Sequence, residues 1–214
     1  MKTTSEDQPP IVVRVACPED DILYGDDIYR IVNTAYRTNA GWTHESHLLA
    51  DDRISRAEVK SVLEDTTNPV FLAFTPTSST TLPQKVIGTL QIDSLEHYPD
   101  YGHYAGPTHP SYTFDYSTAD SVPRSEQIML GLISVDPTLQ SRGIGGKLVK
   151  AGLKYAKEVM GRKQAVVYVV FQRTELREWY QRIGFIDYGE KRPYPVLEST
   201  KQEDVHFNVL RLDL

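Results

Sequence analysis

Residues 128–160 constrain the fold most. IMLGLISV at 128–135 reads as a strand, Asp136-Pro137 ends it, and QSRGIGG at 140–146 opens a helix that runs from Arg142 to about Met160. Leu148, Leu153, Ala156 and Met160 share one face of that helix. A second strand over 164–171, a helix over 174–183 and strands near 185–188 and 205–212 follow. A strand-helix-strand run of this kind implies a parallel pair joined by a right-handed crossover helix.

The upstream half reads differently. A β-branched strand over 11–16 precedes a helix at about 22–38, whose Ile22, Ile28, Ile31, Val32, Ala35 and Tyr36 recur at helical spacing. A second helix over 55–65 has Ser55 as its cap and Glu58 three residues on, the pattern of a capping box. Residues 70–74 and 85–92 are strands joined by a polar hairpin loop. Residues 94–125 are rich in Tyr, His, Pro, Asp and Ser and carry no periodicity, so they read as a long insertion loop of the kind that serves a site. Its His97, His103 and His109 lie six apart, a spacing unlike that of metal ligands, and no metal is expected. Residues 1–10 are polar and read as a disordered tail, and 11–214 as one α/β (α+β) domain.

The glycine-rich turn is the chemical signal. Free N–H groups at a helix start, with the helix dipole, bind phosphate, and Arg142 and Lys147 add positive charge there. A P-loop would need Gly separated by four residues from the Gly-Lys pair and Ser or Thr after it, where Ser141 and Leu148 stand. A dinucleotide fingerprint would need Gly at 148. Both are excluded.

These residues resemble the GCN5-related N-acetyltransferase (GNAT) family. Gln140, Gly143 and Gly145 match its Arg/Gln-x-x-Gly-x-Gly/Ala motif, and 132–137 (LISVDP) is similar to the strand before it. WYQRIGF at 179–185 resembles its Phe-Tyr-x-x-x-Gly-Phe signature. GWTHE at 41–45, 173–185 and GEKRPYP at 189–195 are similar to segments of an uncharacterised fungal and bacterial subgroup. The resemblance implies a central, mostly antiparallel sheet with one splayed parallel strand pair and flanking helices. It implies acetyl-CoA as co-substrate, with the backbone around Ile133, Ser134 and Val135 along its pantetheine arm. Gln140, Ser141, Arg142, Gly143, Ile144, Gly145, Gly146 and Lys147 would hold its pyrophosphate. Arg173 stands where the family often has an Asn contacting the coenzyme, and is expected to reach a phosphate instead. Tyr180 would sit near the sulfur.

Acyl transfer to an amine needs a neutral amine, a polarised carbonyl and a thiolate that can be protonated. Holding both reactants in line is the main contribution. A backbone N–H near Val135 is expected to stabilise the oxyanion. Tyr180, a phenol protonated at neutral pH, is expected to protonate the thiolate. The base is less evident. Many relatives place Glu or His in the middle of the fourth strand, where this chain has Met129 and Gly131. Glu126 has the wrong parity. Glu45, beside His44 and His47, is taken as acceptor ligand or water-mediated base.

The expected activity is acetylation of a small amine. Acetylation of a protein or peptide amine, and a non-catalytic coenzyme-binding module, are the alternatives. Residues 1–120 carry a net charge of −10 and 121–214 of +4, which suits an anion in the second half and a cationic acceptor near the first. A net charge of −6 argues against nucleic acid. The single cysteine, Cys17, excludes an internal disulfide. No apolar run is long enough for a membrane span. A cytoplasmic or nucleocytoplasmic location is expected. Residues 205–212 read as an exposed last strand able to pair in a homodimer.

Overall fold

A computed structural model describes residues 10–48, 51–75, 84–96, 121–194 and 205–214. The tail, the β-hairpin loop and most of the long insertion, including His97, His103 and His109, lie outside the described residues.

In chain order the elements are β1 (Val12–Val15), α1 (Asp20–Arg37), α2 (Arg56–Glu64), β2 (Val70–Phe74), β3 (Val86–Ser94), β4 (Gln127–Val135), α3 (Ile144–Glu158), β5 (Gln164–Val170), α4 (Thr174–Arg182), β6 (Ile186–Pro193) and β7 (His206–Asp213). The seven strands form one mixed sheet in the order β1-β2-β3-β4-β5-β7-β6, antiparallel except for β4 and β5. With the four described helices this is a single α/β domain. The capping box at α2 is complete: Ser55 Oγ accepts the Glu58 N–H and Glu58 accepts the Ser55 N–H.

Each face of the sheet is covered by its own helices. On one, Ile31, Val32, Val59 and Leu63 of α1 and α2 pack on Leu72, Phe74 and Val86. On the other, Leu148, Val149 and Ala156 of α3 and Leu176 of α4 pack on Leu90, Ile92, Ile128, Leu130 and Val167. Leu148 is fully buried, which stabilises the fold by about 2 kcal/mol relative to exposure.

Two irregularities open the centre of the sheet. The parallel pairing covers only Gln127, Ile128 and Met129 against Gln164, Ala165 and Val166. Residues 130–135 and 167–170 then diverge, which is the expected splay. A β-bulge lies beside it. Thr89 pairs with Ser134 and Gln91 with Gly131, so Leu132 and Ile133 together oppose Leu90. Leu132 adopts φ 46°, a left-handed conformation costly for a branched side chain. Its carbonyl accepts the Thr89 hydroxyl at 2.8 Å, which holds the turn. The bulge reverses parity: Ile128 and Leu130 face the α3 core, and beyond it Ile133 and Val135 face that same core.

The last strand corrects an expectation. β7 pairs with β5 along one side and β6 along the other, so it is interior. The hairpin folds β7 back between its neighbours and leaves β6 at the edge.

Candidate active site

The glycine turn sits where β4 ends. Asp136 stops the strand and accepts the Thr138 N–H and hydroxyl at 3.1 and 2.8 Å, forming a short turn over Pro137–Leu139. Gly143 then takes φ 75°, ψ 8° as the residue before α3, a conformation glycine adopts without a Cβ penalty. No side chain caps the helix. The N–H groups of its first turn have no partner within the helix, so they remain donors for an anion. Nothing lies within 4 Å of a β-carbon built on Gly143 or Gly146, whereas one on Gly145 would lie 3.5 Å from Trp179 Cζ2. The indole of Trp179 therefore walls the turn from α4.

A cavity of about 380 Å³ begins at this turn and follows β4. Of the expected residues, Ile133, Ser134, Val135, Gln140, Ser141, Gly143, Ile144, Gly145, Gly146 and Arg173 line it. Arg142 and Lys147 do not; both are exposed at its rim, without an ion pair among the described residues. The uncapped turn, the open space above it and the diverging edge of β4 together fit a pyrophosphate with a long, narrow arm.

The side chain of Gln140 has a different task. The Trp42 N–H donates to its Oε1 at 2.7 Å, while its amide donates to the Val135 carbonyl at 3.4 Å. It ties the loop after α1 to the end of β4, so that Trp42 and Thr43 become one wall of the cavity.

Arg173 and Glu45 meet across that wall. Arg173 donates to Glu45 at 2.7 Å and to the Thr43 hydroxyl at 3.1 Å, and its guanidinium lies 5.3 Å from the centre of the Tyr36 ring. Arg37 donates to the other Glu45 oxygen at 3.0 Å. Both Glu45 oxygens thus already accept guanidinium donors, and Arg173 is held within the wall rather than extended into the open turn.

Tyr180 is packed in the main core, 2% exposed, edge-on to Trp179 and Phe185. It is not among the lining residues, although Tyr36 and Arg173, its electrostatic neighbours, are. Burial pushes its phenol well above the usual range, with Tyr36 adding and Arg173 opposing, so it stays protonated. His47 shares a hydrogen bond with Gln172, His44 with Ser46, and Glu126 pairs with Lys163.

The sequence does not single out Ala35, Tyr36, Trp42, Thr43, Leu176, Trp179 or Arg182 as lining residues. Helical spacing places Ala35 and Tyr36 on the apolar face of α1; only their place near its C-terminal end brings them to the cavity.

Residues 111–187 match the family model of the acetyltransferase (GNAT) domain. No curated protein matches the sequence. Among solved structures, the chain is similar to yncA of Salmonella typhimurium with its cofactor acetyl-CoA, at 15% identity over 96% of this chain and 94% of that one, with a TM-score of 0.60. It is similar to Arabidopsis thaliana NAA60 in complex with a bisubstrate analogue, at 12% identity over 96% and 99%, TM-score 0.63. The spermidine/spermine N-acetyltransferase SpeG of Vibrio cholerae gives 11% identity over 95% and 92%, TM-score 0.54. At these identities the likeness is one of fold. Residues 111–187 thus carry the match to the acetyltransferase (GNAT) domain, and the chain as a whole shares the fold of these acetyltransferases.

Proposed function

We propose that the chain is an N-acetyltransferase that moves an acetyl group from acetyl-CoA to a primary amine of a small molecule by direct attack. The observation that carries this reading is the cavity running from the uncapped first turn of α3 along the diverging edge of β4. The turn would hold the pyrophosphate, with Arg142 and Lys147 lending charge at its rim. Backbone groups of residues 133–135 would pair with the pantetheine arm, since this edge of β4 no longer pairs with β5. The N–H groups just past the Leu132 bulge, toward Val135, would face the carbonyl oxygen. Tyr180 would supply a proton to the departing thiolate.

The coenzyme-bound state of yncA and the amine substrates named for SpeG support this reading, as does the acidic first half of the chain. The bisubstrate complex of NAA60 supports a protein or peptide acceptor as the second reading. Met129 and Gly131, which accept no proton, favour a non-catalytic coenzyme-binding module as the third.

Thiol release from acetyl-CoA separates them. Turnover on small amines and not on peptides supports the proposal, and the reverse supports the second reading. Calorimetric binding of acetyl-CoA with no thiol release on any acceptor supports the third.

A further inference from the structure

We infer that Asp93 is the proton acceptor for the amine, reaching from β3 into the space that a side chain at Gly131 of β4 would fill. The inference rests on the acetyltransferase reading and names the group that reading lacks.

The register sets the geometry. Asp93 pairs with Met129 and Gln91 with Gly131, so all four project on one face of the sheet. That is the face on which α1 and α2 pack, opposite α3. A β-carbon built on Gly131 would lie 3.1 Å from Asp93 Oδ2. A carboxylate on β4 and the carboxylate of Asp93 would therefore compete for one volume. Glycine leaves it to Asp93.

The location suits a proton acceptor. Met129 is the last residue of β4 paired with β5, and Gly131 lies just beyond it, at the mouth of the splay. Two residues further is Ile133, the second residue of the bulge, about 7 Å along the strand at ~3.3 Å per residue. Asp93 lies outside the residues that line the cavity, so at that range it would act through a bridging water.

Asp93 is also chemically available. It is half-buried and makes no hydrogen bond or ion pair among the described residues. The charged groups facing it are Arg53, from the segment before α2, and Asp65, at the end of α2. Burial raises its carboxyl to about 6, Arg53 opposing and Asp65 adding to the effect. Asp65 is engaged by Thr67 and Asn68. Asp93 is thus a carboxylate at neutral pH and more basic than an exposed aspartate, a suitable combination for catalysis.

The step balances as follows. An ammonium group gives one proton to Asp93 and becomes a neutral amine. Its nitrogen attacks the thioester carbon, the C–N bond forms and the C–S bond breaks. Tyr180 gives its proton to the departing thiolate and is reprotonated by the second nitrogen proton, giving the amide and a free thiol. Asp93 returns its proton to solvent.

The test compares wild type with Asp93→Asn on an acceptor the wild type acetylates, following thiol release between pH 5 and 9. The expected result is a fall in kcat/KM of about 100-fold or more, with loss of the inflection near pH 6. Acetyl-CoA affinity by calorimetry stays within about threefold, which also shows that the variant is folded. An Asp93→Asn enzyme within about threefold of wild type, with the inflection retained, overturns this inference alone. Wild type that releases no thiol with any acceptor overturns the acetyltransferase reading and this inference with it.

Discussion

Arg173 donates to Glu45 at 2.7 Å across 128 residues of sequence, and Arg37 holds the other oxygen of the same carboxylate. Both Glu45 and Arg173 side chains are only 10% exposed. Removing the shared anion leaves two guanidinium groups facing each other in a poorly solvated wall. Glu45→Ala should therefore cost about 3–5 kcal/mol in urea unfolding. Arg173→Met should cost less, because Arg37 still pairs with Glu45. Lost turnover in Glu45→Ala with an unchanged unfolding midpoint would instead make Glu45 a proton carrier.

Gln140 predicts a separation of binding from chemistry. Its side chain spans the Trp42 N–H and the Val135 carbonyl, and so fixes one wall of the cavity to the strand. Gln140→Ala should raise the KM for acetyl-CoA about five- to tenfold while kcat changes less than twofold. Steady-state kinetics with a saturating acceptor checks this. A fall confined to kcat would show that the wall serves the acceptor.

Much of this was legible from the chain, and the reasons differ by element. The turn at 140–146 was readable because glycines, a preceding strand and a following amphipathic helix are local signals. The Ser55–Glu58 capping box was readable for the same reason. The bulge at Leu132 was not, since it arises from the register of β4 against β3 and leaves no mark in residues 128–135. Asp93 was missed because apolar alternation stops at Ile92, so the strand appears to end there. Pairing with Met129 and Ile128 carries β3 on to Ser94. The interior position of β7 likewise depends on pairing between distant strands, with β5 on one side and β6 on the other.

Gly146 offers a sign test of the pyrophosphate site. A β-carbon there meets nothing within 4 Å, and the residue lies in the first turn of α3. An acidic side chain in a first turn favours a helix by about 0.3–1 kcal/mol. Gly146→Asp should therefore hold or raise the melting temperature while weakening acetyl-CoA binding at least tenfold by calorimetry. Unchanged affinity would move the pyrophosphate away from this turn.

Tyr180 is proposed to act on the thiolate, and its burial keeps the phenol protonated. Tyr180→Phe removes one oxygen and preserves the ring contacts with Trp179 and Phe185. The expected outcome is a kcat lowered at least tenfold with acetyl-CoA affinity within twofold. Unchanged turnover would reduce Tyr180 to a core aromatic.

Asp93 should also make stability depend on pH in an unusual direction. Its carboxyl is raised from 3.8 to about 6 in the folded chain, mainly by burial. The folded state therefore holds this proton more tightly than the unfolded state does. Well below pH 4 both forms are protonated and the site carries no penalty. Between about pH 4 and 6 the unfolded chain ionises this carboxyl while the folded chain does not, so stability falls across that window and levels off above 6. Two pKa units correspond to an upper bound of about 3 kcal/mol. Asp93→Asn removes the ionisation, so its melting temperature should exceed that of wild type by several degrees at pH 8 and match it near pH 3. A carboxylate kept at such a cost is what a trade of stability for activity predicts. Equal melting temperatures across that range would show that Asp93 is solvated in the folded protein, and with that its basicity would be that of an ordinary aspartate.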